Sequence, residues 1–187
     1  MYKGIRLRFV SVSEIVGSDD LALIILADEQ RERQISIVCG RDMAVQLDMR
    51  VRKIPVTQRM LPEVLSSIIS DRMHLCFYML INGISDGQYD SVIVNDDTND
   101  VIPIRVSDAV LLSVASDIPL YIDERLMRQQ SVMYRNPSVE MKIPLPMNAM
   151  SIEMLDKAIE RAINEENYEQ ASLLTEERNR RTSGLGK

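Results

Sequence analysis

The sequence predicts an α+β protein: a mixed, largely antiparallel β-sheet with packed helices, followed by an α-helical hairpin. Three observations predict it. Apolar residues make up 45% of the 187, enough to bury a sizeable core and to exclude wholesale disorder. Up to residue 134, runs of period two interchange with runs of helical period, with strands outnumbering helices. Beyond residue 150, Glu, Ala, Arg and Leu recur at helical spacing. Aromatics are only 4% and Trp is absent, so the core is aliphatic, with the 12 Met as filler.

Residues 3–12 set Ile5, Leu7, Phe9 and Val12 against Lys3, Arg6, Arg8 and Ser11, a half-buried strand. Residues 21–27 and 33–39 are β-rich runs joined by polar residues and read as a hairpin. From Gly40 the period changes, and Met43, Ala44, Leu47 and Val51 share one helical face. Pro62 suits the first turn of a second helix with Val64, Leu65, Ile68 and Ile69 inward. Residues 73–81 alternate again around His74, and both Asn82-Gly83 and Asp86-Gly87 are turn signals before a strand at 89–94. After the Asp-rich turn at 96–100 come a strand at 101–106 and a helix capped by Ser107. A short strand at 119–122 and a helix opened by Asp123 complete a domain over residues 1–134.

Residues 135–150 contain Pro137, Pro144 and Pro146 and show no sustained period, as expected of a linker or arm. Residues 151–187 read as a helical hairpin. Ile152, Leu155, Ile159, Ala162 and Ile163 form one stripe, and Asn167 with Gln170 makes a capping box. Such a hairpin covers its stripe only partly, so it is expected to dock on a partner or on a copy of itself.

Lys and Arg number 22 against 28 Asp and Glu, a net charge of −6. That argues against a protein held on nucleic acid by bulk positive charge, while leaving room for a nuclease with an acidic metal site. Cys39 and Cys76 are too few for a disulfide framework and sit in apolar runs, where buried free thiols are expected. The N-terminal residues lack the apolar stretch of a signal peptide, and the longest apolar run, 21–27, falls far short of the roughly 20 residues that span a bilayer. A soluble, cytoplasmic chain is the expectation.

Residues 21–132 resemble the bifunctional nuclease (BFN) domain family, whose plant members are described as acting on both DNA and RNA. Three segments carry the resemblance: Ile37-Val38-Cys39-Gly40-Arg41-Asp42-Met43-Ala44; Ile81-Asn82-Gly83-Ile84-Ser85-Asp86-Gly87-Gln88-Tyr89; and Arg105-Val106-Ser107-Asp108-Ala109-Val110-Leu111-Leu112, followed by Ile118-Pro119-Leu120-Tyr121. The chain carries Gln58, Arg59 and Pro103 where the family usually has a His, an Asp and an acid. Tyr168-Glu169-Gln170-Ala171-Ser172-Leu173-Leu174 is similar to the UVR motif, the helical pair of the excision-repair proteins UvrB and UvrC.

Hydrolysis of a phosphodiester with metal assistance needs carboxylates that converge on Mg²⁺ or Mn²⁺ and a cation for the phosphate. Asp42 and Asp108, each at a strand-to-helix junction, are the candidate catalytic and metal-ligating acids, and Arg105 is their cationic companion. Capping and the helix dipole also favour Asp at such positions. Arg41, Arg50, Arg52, Lys53 and Arg59 are the candidate nucleic-acid contacts; the last four fall in 49–62, which holds no acid. The only histidine, His74, is expected to be structural, and neither a P-loop nor Gly-x-Gly-x-x-Gly is present. Two functions follow: a nuclease for DNA or RNA, or a non-catalytic binding module whose hairpin docks a protein such as UvrB or UvrC. A homo-oligomer, most simply a dimer, fits either.

Overall fold

The computed structural model describes residues 4–15, 20–69, 76–116, 118–135 and 146–184. The chain forms two compact units, Met1–Ile143 and Pro144–Lys187. The first is built on an eight-stranded mixed sheet, which with its packed helices makes the fold α+β. Its strands are β1 (Ile5–Glu14), β2 (Leu21–Asp28), β3 (Arg33–Gly40), β4 (Phe77–Ser85), β5 (Gln88–Asn95), β6 (Val101–Arg105), β7 (Leu120–Ile122) and β8 (Val132–Met133). They lie in the order β6-β5-β4-β7-β1-β2-β3-β8. All neighbours are antiparallel except β4 and β7, which are parallel.

The β2–β3 hairpin is the apolar centre expected from its sequence. Every residue from Ala22 to Asp28 is buried, and Ile24 stands opposite Ile37 in the ladder. Helices α1 (Arg41–Val51) and α3 (Val106–Ala115) touch each other and pack on the sheet. Met43, Leu47, Ala109 and Val110 thereby share one core with Leu26, Ile37, Met79 and Ile122. Each fully buried aliphatic side chain contributes about 1.5–3 kcal/mol, so this aliphatic core suffices without Trp. Asp123 caps α4 (Glu124–Gln130) by accepting from the backbone N–H of Arg125 and Leu126.

Several expectations are corrected. The segment Asn82-Gly83 is no turn: the β4–β5 register shifts between Ile81 and Gly83, a bulge inside the strand. The chain reverses at Asp86-Gly87, whose φ values of 51° and 76° suit a tight hairpin. Ser107 caps nothing; β6 runs directly into α3 with Arg105 as the flanking residue. After a 3-10 turn at Pro55–Arg59 comes α2 (Leu61–Ser67), but its Val64 and Leu65, and Ile68 just beyond it, face solvent. The reason is Glu63, which turns inward to a buried arginine and so orients the helix. Cys39 is buried as expected, whereas Cys76 is exposed. His74 lies outside the described residues.

The second unit pairs α5 (Ile152–Asn164) with α6 (Tyr168–Gly184). Leu155, Ala162, Ala171 and Leu174 form its interior, joined by Met147 and Met150. The predicted cap is present: Gln170 donates its N–H to Asn167 Oδ1 at 3.2 Å, and Asn167 Nδ2 donates to Gln170 Oε1. Arg181 donates to the backbone oxygens of Met147 and Met150 and pairs with buried Glu177, which fastens the chain before α5 to α6. Ile152 and Ile163 remain outside this interior, so the hairpin covers its own stripe only in part.

Candidate nucleic-acid hydrolysis site

Two strand-to-helix junctions, β3–α1 and β6–α3, supply the candidate residues. At the second, Arg105 donates from Nε to Asp108 Oδ2 at 2.7 Å and from Nη2 to Oδ1 at 3.2 Å. This is a bidentate fork, which fixes both planes. Arg105 is nonetheless 79% exposed, so the guanidinium is presented to solvent rather than sealed in an internal pair. Its pKa is held above the ordinary arginine value, by the hydrogen bond to Asp108 first, then by the charge of Asp108 and finally by that of Asp42. Among the described residues no hydrogen bond or ion pair joins Asp42 to Arg105, which is forked onto Asp108 alone.

Asp42 owes its position to Gly40. A Cβ on Gly40 would stand 2.5 Å from Asp42 Oδ1, so the carboxylate folds back over the bare glycine Cα. No side chain caps α1, and Asp42 in the first turn meets the positive end of the helix. Burial, and then the charge of Asp42, push the Cys39 thiol up to about 11. A thiol so raised is no nucleophile near neutrality.

The basic residues divide. Arg41 is anchored through its backbone N–H to the oxygen of Asp20, with its guanidinium 3.5 Å from the Glu14 carboxylate. Arg50, expected as a phosphate contact, is turned inward: its side chain is 3% exposed. It donates to the Gln46 backbone oxygen at 2.8 Å and to Glu63 Oε2 at 2.7 Å, so a phosphate cannot reach it. Arg52 pairs with Asp48, while Lys53 and Arg59 are exposed. A concave depression elsewhere is lined by Arg8, Phe9, Val10, Asp28, Glu29 and Arg31 and includes none of the predicted residues.

Among the described residues no three His, Cys, Asp or Glu converge as a metal cage. Asp42 and Asp108 carry carboxylates, the oxygen donors that suit a hard divalent cation. Magnesium commonly takes only one or two protein carboxylates and completes its shell with water and phosphate oxygens.

The first unit is an α+β domain with a mixed sheet, carrying carboxylates and an exposed arginine at two strand-to-helix junctions. Residues 24–135 match the bifunctional nuclease domain, and the chain belongs to that family. A comparison with curated proteins gives no match. Among the described residues no helix is long and apolar enough to cross a membrane.

Proposed function

We propose that the protein is a nuclease that hydrolyses phosphodiester bonds in DNA and RNA at the Asp42–Arg105–Asp108 site. The observation that carries this reading is the exposed Arg105 guanidinium forked onto Asp108 at a strand-to-helix junction, within a bifunctional nuclease domain. Arg105 binds the phosphate bidentately, exchanging Asp108 for phosphoryl oxygens. Asp108 is a positioning residue that holds the guanidinium before substrate arrives. Asp42, carried on a helix start, accepts the proton of the attacking water as the new P–O bond forms. The P–O bond to the leaving oxygen then breaks, and that oxygen takes a proton from solvent. Asp42 and Asp108 would hold Mg²⁺ or Mn²⁺ at this site, which supplies polarisation of the phosphoryl oxygen and neutralises developing charge. Arg41 extends the cationic surface along the substrate backbone.

The hairpin is the protein-docking element in this reading. Its UVR-like Tyr168–Leu174 segment and the exposed Ile152, Met154, Ile163 and Tyr168 suit a UvrB- or UvrC-like partner.

The test is cleavage of single-stranded DNA and of RNA by purified protein in Mg²⁺, in Mn²⁺ and in EDTA. Cleavage in metal, abolished by Asp108→Ala with an unchanged melting temperature, is expected. Absence of cleavage under every metal condition, or equal cleavage by the variant, contradicts the reading.

A further inference from the structure

The surface carried by α1, the 3-10 turn and α2 exposes a run of apolar side chains. Val51, Ile54, Val56, Leu61, Val64 and Leu65 are all exposed, Leu61 to 76%. The buried Arg50–Glu63 pair and contacts between the turn and α2 hold these consecutive elements together, so the exposed apolar residues lie on neighbouring elements. Exposed apolar side chains grouped in this way mark an interaction surface. Lys53 and Arg59 stand among these residues, with Arg52 paired to Asp48 beside them, and 49–62 contains no acid.

The far edge of the sheet carries the opposite combination. Val101 and Ile102 on β6 are 61% and 59% exposed. Asp96, Asp97 and Asp100 precede them in the β5–β6 turn, all exposed, and no Lys or Arg occurs between residues 73 and 104. Pro103 lies in the middle of β6 and has no N–H to extend the ladder, so a partner meets this edge through side chains rather than as an added strand.

We infer that the apolar, basic α1–α2 face docks on the apolar, acidic β5–β6 turn and edge of a second copy of this chain. The occupant follows from charge complementarity: the chain itself presents both an apolar surface framed by cations and one framed by carboxylates. Nucleic acid is a poor occupant for the basic half, because interfaces with nucleic acid are polar and this face centres on aliphatic side chains with no aromatic for a base to stack on. Two copies that exchange both contacts close as a two-fold dimer; copies that exchange one at a time close as a ring. The inference does not depend on the nuclease reading.

Sedimentation or light scattering of the full chain tests it. The wild type is expected to self-associate, less strongly as salt is raised. K53E/R59E and D97K/D100K, each judged folded by circular dichroism, are each expected to sediment as monomers, with association weakened more than about a hundredfold by like charges brought face to face. An equimolar mixture of the two variants is expected to regain the assembly, because each altered surface then meets its new complement. A wild type that is monomeric at every concentration tried overturns the inference. So does an assembly that survives both charge reversals, or a mixture that stays monomeric. Loss of nucleic-acid binding by K53E/R59E without any change of mass also overturns it, and assigns the face to nucleic acid.

Discussion

Gly40 leaves room for the Asp42 carboxylate and Cys39 feels its charge, and both can be interrogated. The Cys39 thiol ionises near 11 rather than at its ordinary 9.0, mainly through burial. Iodoacetamide at pH 8 is therefore expected to label Cys76 and spare Cys39, read by peptide mass spectrometry; equal labelling of the two would contradict the burial argument. The same shift has a consequence for stability. The folded chain keeps the Cys39 proton more tightly than the unfolded chain, so this contribution is intact below pH 9 and is lost as pH rises towards 11. Cys39→Ala should flatten the alkaline decline of the melting temperature across that window. Gly40→Ala tests the neighbouring contact. The added methyl meets a side-chain oxygen rather than backbone, so the fold is expected to persist while Asp42 is displaced and cleavage falls. Asp42 and Asp108 were legible in the sequence as acids at helix starts. The Arg105–Asp108 fork was not legible there, and β3 and β6, which lead into the two helices, lie far apart in strand order while α1 and α3 touch.

At the scale of elements, two helix ends close in an unexpected way. Lys53 and Glu166 adopt φ values of 53° and 56°. Ile54 donates back to the Met49 oxygen and Asn167 to the Ala162 oxygen, the Schellman pattern that glycine usually completes. Without glycine at either position, these two stops left no mark in the sequence. Glu166→Gly is expected to stabilise the hairpin by about 1 kcal/mol, measured by chemical denaturation, because a side chain leaves the left-handed region. The orientation of α2 was misread for a different reason. Period counting treats apolar residues as inward, whereas here the inward group is Glu63 on Arg50. Glu63→Ala strands the buried guanidinium and is expected to cost about 3–5 kcal/mol; Arg50→Met with Glu63→Leu should recover most of it. The strands were read more faithfully, since alternation and turn residues sufficed for β2, β3 and β5.

The whole molecule combines a nuclease-family sheet unit with a hairpin that holds its own small core. Leu155→Ala removes the centre of that second core and is expected to cost about 2–5 kcal/mol, seen as loss of hydrogen-exchange protection across 152–184. Cleavage should be unaffected, because every proposed catalytic group lies in the first unit. The central claim is that Asp42 and Asp108 act as one unit through Arg105. Its most direct test is kcat/KM on a single-stranded oligonucleotide for Asp42→Asn, Asp108→Asn and the double variant. Groups that act together are strongly non-additive, so each single change is expected to lose nearly all activity and the double variant to be no worse than either. Losses that simply multiply, or a single variant that cleaves like the wild type, would contradict the shared site.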